Sequence, residues 1–226
     1  MATKPVQSAP PPLPLMSVKL PQQGRSRASF ERMLEAAEAL LVERVSDDFT
    51  LNDVSKVGRV SIGSIYNRFT NKDELIHAVC ARVMERLEIE QAKIIMRARS
   101  RSKSTAELIL AIVAELGEFM RAQAPVMRPL MLRAAFDRAV QDRGGAAYVA
   151  MQTALVTEIL GRRDDIVHPD PEGGAITVVQ IAYAAFAREL GFGMAEAISN
   201  GVSYDKLKVD MGVMAANFLL CALDAT

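Results

Sequence analysis

The sequence predicts an all-α fold with about nine helices. From residue 25 onward the chain is dominated by Ala, Leu, Glu, Met and Arg, which are all good helix formers. Apolar side chains recur at spacings of three and four residues, and the alternation typical of a half-buried strand is nowhere sustained. No proline occurs in residues 25–124, and a helix interior tolerates proline worst.

Nine helical segments follow from this periodicity and from the breaks between them. They are expected at about 27–45, 51–57, 62–68 and 72–98, then from 105 to a break at Pro125, from Pro129 to Gly144-Gly145, and at about 146–162, 174–198 and 204–224.

Capping residues support four of the predicted helix starts. Thr50 is followed three residues later by Asp53, and Asn71 and Ser104 are each followed by a glutamate at the same spacing. Ser61 introduces the short third helix. The first helix has an apolar face of Phe30, Met33, Leu34, Ala37 and Leu41, and the fourth has one of Ile76, Val79, Cys80, Val83, Leu87 and Ile94.

Residues 1–24 differ from the rest, because they contain six of the ten prolines. They predict a disordered, Pro-rich tail, and without a continuous apolar segment they do not look like a signal peptide. The longest apolar run, residues 175–187, is interrupted by Thr177 and Gln180 and is shorter than the ~20 residues that span a bilayer. We therefore expect a cytoplasmic protein with no membrane partner.

Residues 50–69 have the layout of a helix-turn-helix. Two short helices are joined by Val57-Gly58-Arg59-Val60. An α-helix enters the major groove of DNA only when a second helix and a tight turn hold it at a fixed angle. The apolar wedge that would fix this angle consists of Val54, Val57, Val60, Ile65 and Phe69.

Two motifs in this region resemble the TetR family of transcriptional regulators. They are Val60-Ser61-x-Gly63-Ser64-Ile65-Tyr66-x-x-Phe69-x-x-Lys72-x-x-Leu75 and, upstream, Phe30-x-x-Met33-Leu34-x-x-Ala37. The resemblance covers residues 27–80. It implies a three-helix DNA-binding domain at 25–70 and a larger helical effector-binding and dimerisation domain at 71–226. It also implies a homodimer that binds a palindromic operator in double-stranded DNA, as a repressor that a small molecule releases.

The resemblance also assigns roles to single residues. The positions of Ile62, Gly63 and Ser64 approach base edges in the family, and the positions of Tyr66 and Lys72 contact phosphate. The full candidate set for DNA binding is Thr50, Arg59, Ser61, Ile62, Gly63, Ser64, Tyr66, Asn67, Arg68 and Lys72.

The turn departs from the family pattern. The family has Ala-Gly where this chain has Gly58-Arg59, so the glycine comes one position early. Arg59 is then expected at a positive φ, at a cost of roughly 1 kcal/mol for a residue other than glycine.

Charge excludes a globally basic nucleic-acid binder, since Lys+Arg and Asp+Glu both total 27. Residues 25–75 contain eight basic and nine acidic side chains. A DNA-binding patch must therefore arise from geometry, with acids such as Glu35 and Glu38 facing away. The basic run Arg97, Arg99, Arg101, Lys103 is interpreted as a solvated loop, with a second nucleic-acid site as the alternative.

The resemblance places an effector pocket among the central helices. Flexible methionine side chains suit an apolar cavity, although ordinary core packing is the favoured explanation for any single one of them. We expect a small, apolar effector and take as candidates Met96, Phe119, Met120, Met127, Met131, Phe136 and Met151.

The last two helices are apolar on more than one face. Such helices are buried on several sides, either in the core of one subunit or in a four-helix dimer interface. The candidate interface residues are Ile176, Val179, Tyr183, Phe186, Leu190, Met211, Met214 and Phe218.

Other chemistry has little support in the sequence. Two cysteines and two histidines, far apart, show no metal-ligand spacing, and no Gly-rich phosphate loop occurs. We expect no metal, no cofactor and no enzymatic activity. The alternatives are an all-helical enzyme and a dimeric interaction protein that has lost DNA binding.

Overall fold

The computed structural model describes residues 24–193 and 201–221, and these residues confirm the all-α prediction. The predicted tail lies outside them, apart from Gly24. The α-helices are α1 (Gly24–Arg44), α2 (Leu51–Gly58), α3 (Ile62–Tyr66), α4 (Lys72–Ser100), α5 (Thr105–Ala134), α6 (Arg138–Leu160), α7 (Pro171–Glu189) and α8 (Tyr204–Leu220), with a 3₁₀ turn at Arg163–Asp165.

All four predicted caps are present. Thr50 and Asp53 form a reciprocal capping box at α2. The side chains of Ser61, Asn71 and Ser104 each accept a hydrogen bond from the backbone N–H three residues later. These caps fix where α2 to α5 begin, because they satisfy backbone donors that the first turn leaves unpaired.

Two predicted helix breaks are wrong. Helix α5 continues through Pro125 and Pro129, and α6 continues through Gly144-Gly145. A proline inside a helix costs about 3 kcal/mol, but α5 is packed against α4, α6, α7 and α8 along its length. Burial of Val126 and Leu130 beyond the first proline keeps the chain helical. The break lies instead at Asp137, whose carboxylate caps α6. Residues 24–193 and 201–221 thus contain eight α-helices where nine were predicted.

Helices α1 to α3 pack around a small apolar core with the start of α4. Phe30 and Phe69 stack with ring centroids 5.9 Å apart. Of the predicted wedge, Val54, Val60, Ile65 and Phe69 are buried, whereas Val57 is exposed. The inclusion of Val57 was wrong because it lies on the outer side of α2, opposite α1.

The remaining helices enclose a larger core centred on α5. Helix α5 contacts α8 most extensively, and α7 packs on α6 and α8. The predicted apolar face of α4 is buried throughout. Within residues 24–193 and 201–221, no helix is long and apolar enough to cross a membrane.

The basic run at the end of α4 is tied into this core. Arg97 and Arg101 both contact the buried Glu115 carboxylate, at 2.5 and 2.8 Å. Arg99 forms two hydrogen bonds with the buried Glu158, at 2.5 and 2.6 Å. The solvated interpretation holds for Arg99 and Arg101, whose side chains are 67% and 68% exposed. The loop part of it is wrong for Arg97 and Arg99, which lie in α4, and all three arginines join the end of α4 to α5 or α6.

Candidate nucleic-acid interface and ligand cavity

The turn between α2 and α3 explains the displaced glycine. Arg59 has φ 49° and ψ 46°, the left-handed conformation, and its N–H bonds the carbonyls of Lys56 and Ser55. Gly58 serves a different purpose, because a Cβ there would lie 2.9 Å from the Arg32 carbonyl oxygen and 3.2 Å from the Ala36 Cβ. Glycine at 58 therefore lets α2 approach α1, while Arg59 takes the strained φ.

One face of α3 is open to solvent. Tyr66 is 59% exposed, and Gly63, Ser61 and Asn67 are also exposed. A Cβ on Gly63 would meet no atom within 4 Å. The hydroxyls of Ser61 and Ser64 lie 2.7 Å apart at the start of the helix. Ile62 and Ser64 are half-buried, and Ile62 packs partly against the core. Of the three predicted base-contacting residues, Gly63 is therefore the exposed one.

Two predicted DNA-binding residues are held by other parts of the chain. The Arg68 guanidinium donates to Ser26 at the start of α1 and lies 5.5 Å from the centroid of the Phe30 ring. The Lys72 ammonium donates to the Asp47 carbonyl at 2.7 Å. Arg68 therefore extends toward α1, and Lys72 keeps only part of its donor capacity for a phosphate.

Of the two acids expected to face away from DNA, Glu35 is exposed and Glu38 is half-buried. The Glu38 carboxylate bonds Arg82 and Arg86 of α4 at 2.6 and 2.8 Å. Burial would raise the pKa of Glu38, but the hydrogen bonds and charges of Arg86 and Arg82 outweigh it and hold the pKa below its ordinary value. The charge of Glu38 is thereby neutralised away from α3.

A network of charged groups joins the N-terminal helices to the larger core. Arg133, near the end of α5, contacts the carboxylates of Asp47, Asp73 and Asp137 at 2.5, 2.6 and 2.8 Å. His77 Nε2 lies 2.9 Å from Asp137. Burial of Asp137 disfavours its ionised form and acts to raise its pKa, yet its hydrogen bonds with His77 and Arg133 lower the pKa below its ordinary value. We refer to these five residues as the Arg133 network.

A small cavity lies among α4, α5, α6 and α7. Its volume is about 40 Å³. Four predicted effector residues line it, Phe119, Met120, Met127 and Met151. The other lining residues, which sequence reasoning missed, are Met84, Leu87, Gln91, Gln123, Gly144, Ala147, Tyr148, Tyr183 and Phe192.

The other three predicted effector residues lie elsewhere. Met96 and Phe136 are exposed on the surface, and Met131 packs at the edge of the core. Placing them in the pocket was wrong because residue type alone does not tell which face of α4 or α5 turns inward. The buried stripe of α4 contained the signal that was missed, since Leu87 lies on it.

The predicted interface stripe on α7 and α8 is mostly internal. Val179, Phe186, Leu190 and Met211 are buried within the subunit, and Ile176 and Tyr183 pack partly against the core. Assigning Val179, Phe186 and Leu190 to an interface was wrong, because these side chains are buried within the subunit. Met211 is also buried, but it lines a groove between α7 and α8. Met214, which is 60% exposed, and Phe218 lie on the outer face.

That outer face is itself apolar. It comprises Ile181, Val213, Met214 and Phe218, which are exposed although hydrophobic. A groove of about 350 Å³ runs between α7 and α8, and Ile181, Met214 and Phe218 line it. We call these four residues the α7–α8 face.

Comparison with known proteins identifies the N-terminal region. Residues 33–79 match the family model of bacterial regulatory proteins of the tetR family. This match extends from α1 through the helix-turn-helix into α4. Residues 33–79 of this chain therefore form a tetR-family region. Because this is a family of bacterial regulatory proteins, the match supports a DNA-binding transcriptional regulator rather than an enzyme.

Solved structures share the whole TetR fold with this chain. A TetR-family protein of Mesorhizobium loti is 15% identical, with a TM-score of 0.67, and the match covers 87% of this chain and 97% of that one. A TetR regulator of Haloarcula marismortui is 14% identical, with a TM-score of 0.64, covering 85% and 98%. A protein of Saccharomonospora viridis, solved in complex with choline, is 15% identical, with a TM-score of 0.63, covering 82% and 94%. No curated protein sequence matches significantly.

Proposed function

We propose that this TetR-family protein is a homodimeric repressor that binds a palindromic operator and is released by a small molecule. In this proposal residues 25–70 bind DNA, and residues 71–226 bind the effector and dimerise. The exposed face of α3 supports it most directly, because Tyr66 and Gly63 are exposed on this helix and Ser64 is half-buried beside them.

Each subunit would insert α3 into the major groove. Ile62 suits a thymine methyl and Ser64 suits several base edges, whereas the Tyr66 hydroxyl suits a phosphate. A two-fold dimer would present two such helices to half-sites about 34–36 Å apart or a multiple of that distance. Arg59 and Lys56, both exposed beside α3, add positive charge near the phosphates.

Removing the Tyr66 hydroxyl should weaken operator binding. Hydrogen bonds to charged groups contribute roughly 1.5–3 kcal/mol, so Tyr66→Phe should bind an operator selected from random duplexes at least tenfold more weakly. Fluorescence anisotropy at physiological salt measures this change. Ile89→Ala, which alters an exposed residue of α4, serves as the control and should bind like the wild type. If Tyr66→Phe and the wild type bound the operator with equal affinity, the Tyr66 hydroxyl would have no role in phosphate binding. If the wild type bound the operator no more tightly than scrambled DNA, an interaction protein without DNA recognition would be favoured.

A second copy of the chain is the proposed occupant of the α7–α8 face. Residues of this face are apolar and exposed on two adjacent helices, which is the arrangement that a four-helix interface between two subunits requires. Helix α5, on the opposite side of α8, already covers the inner stripe.

Met214→Glu should therefore disrupt dimerisation. A carboxylate buried without a partner at an interface costs about 3 kcal/mol or more, which corresponds to at least a hundredfold weaker dimer in sedimentation equilibrium. Met96→Glu is the matched control, since Met96 is an equally exposed methionine on α4, and it should remain dimeric. If both variants dimerise like the wild type, the α7–α8 face is not the interface.

Effector release would act through α4. This helix begins at Lys72, next to the DNA-binding helices, and contributes Met84, Leu87 and Gln91 to the cavity. A ligand that displaces these side chains would shift α4 and change the spacing of the two α3 helices. A coupling of ~1–3 kcal/mol suffices for a 5–150-fold change in DNA affinity.

A further inference from the structure

We infer that the effector is an uncharged, largely apolar small molecule with one hydrogen-bonding group. This inference rests on the proposed function, in which the cavity between α4 and α7 holds the effector. Among the described residues that line the cavity, none carries a formal charge at neutral pH. Its polar groups are two glutamine amides and two tyrosine hydroxyls, from Gln91, Gln123, Tyr148 and Tyr183.

The largely apolar lining makes the absence of charged groups informative. A charged ligand transferred from water into this cavity would lose its hydration and find no opposite charge among the described lining residues. The tyrosines do not supply an anion, since burial raises the pKa of both Tyr148 and Tyr183. Amides and hydroxyls do offer donors and acceptors, which a neutral polar group satisfies without that cost.

Aromatic side chains in the cavity raise the alternative of a quaternary ammonium ligand. Such cations bind over ring faces, and the protein of Saccharomonospora viridis was solved with choline. In this chain, however, the Tyr148 and Tyr183 rings pack edge to face on each other, with centroids 4.7 Å apart. This contact leaves no space between the two rings for a cation, so the arrangement favours an apolar ligand.

The cavity can enlarge to accept such a molecule. Its volume of about 40 Å³ is far below the roughly 300–1,000 Å³ of ligand pockets. Four methionines line it, and their unbranched side chains adapt readily to a new shape. Gly144 also lines it and carries no side chain, although a Cβ there would meet no atom within 4 Å. Glycine is disfavoured in a helix, and packing does not require it at position 144. Its missing side chain therefore leaves space at the edge of the cavity.

Three probes of similar shape test the charge preference. They are 4-tert-butylphenol, its (4-hydroxyphenyl)trimethylammonium isostere, in which one carbon becomes a positively charged nitrogen, and the anion 4-tert-butylbenzoate. Isothermal titration calorimetry with the full-length protein should show the neutral phenol binding at least tenfold tighter than either ion. Equal or tighter binding of the ammonium or the benzoate would overturn the inference, as would the absence of binding by all three at millimolar concentration.

Two substitutions locate the binding. Gly144→Leu should weaken phenol binding at least tenfold, because the new side chain occupies the cavity. Gly145→Leu is the matched control, since its Cβ also meets nothing within 4 Å and it does not line the cavity. If neither variant lost affinity for the phenol, the ligand would bind elsewhere and the inference would be overturned. Binding of the same samples to the selected operator is measured separately, so failure of the ligand inference is distinguished from failure of the DNA-binding proposal.

Discussion

Gly58→Val should destabilise the helix-turn-helix and weaken operator binding. The new Cβ would lie 2.9 Å from the backbone oxygen of Arg32, and a backbone atom of α1 cannot turn aside as a flexible side chain can. Overpacking of this kind costs about 1–3 kcal/mol. We expect urea unfolding followed by circular dichroism to show this loss of stability, and operator affinity to fall by up to about a hundredfold.

Gly63→Ala provides the control for this prediction. The added methyl group would meet nothing within 4 Å, and alanine is the better helix former by roughly 0.5–1 kcal/mol. This variant should be at least as stable as the wild type. It should nevertheless bind the operator more weakly, because the methyl group lies where α3 approaches DNA. If Gly58→Val had the same stability and the same operator affinity as the wild type, our account of the turn would be refuted.

Arg133→Met should destabilise the protein by about 3 kcal/mol, because it leaves partly buried carboxylates without their cation. The Arg133 side chain is only 11% exposed and contacts Asp47, Asp73 and Asp137. Chemical denaturation at neutral pH measures the effect. Arg121→Met is the matched control, since Arg121 also pairs with two carboxylates but is 45% exposed. Exposed pairs contribute about 0–1 kcal/mol, so equal losses in both variants would contradict a special role for the Arg133 network.

The stabilising effect of the Arg133 network should weaken in acid. The folded pKa of Asp137 lies below its ordinary value, so folding favours the ionised form. Its contribution is fully present above the unfolded pKa, about 3.9 for an aspartate, and is lost as the pH falls through the lower folded value. The difference in stability between wild type and Arg133→Met should therefore narrow as the pH falls below about 4.

Local sequence signals predicted the N-terminal region well. The caps at Thr50, Ser61 and Asn71 act between residues three positions apart, so they are visible in the sequence and present in the structure. The positive φ expected for Arg59 is also observed, because it too depends on the local sequence of the turn. The purpose of Gly58 was not predictable, because it depends on the approach of α1, more than twenty residues earlier.

Long-range packing explains the predictions that failed. Pro125 and Pro129 are normally helix breakers, but the helices around α5 hold it intact. The Arg133 network joins residues up to 86 positions apart, a separation that no local pattern reveals. Periodicity showed that α7 and α8 were apolar on several sides, but only the structure distinguishes the buried Phe186 from the exposed Met214.

Selection of DNA sites from random duplexes tests the central claim most directly. If α3 reads the major groove in a two-fold dimer, the wild-type protein will enrich a palindromic motif. Ser64→Ala will then alter the preferred base at one symmetric position in each half-site, leaving the rest of the motif unchanged. Enrichment of no motif by the wild type, with the protein folded, would contradict the claim that the face of Ile62–Tyr66 recognises DNA.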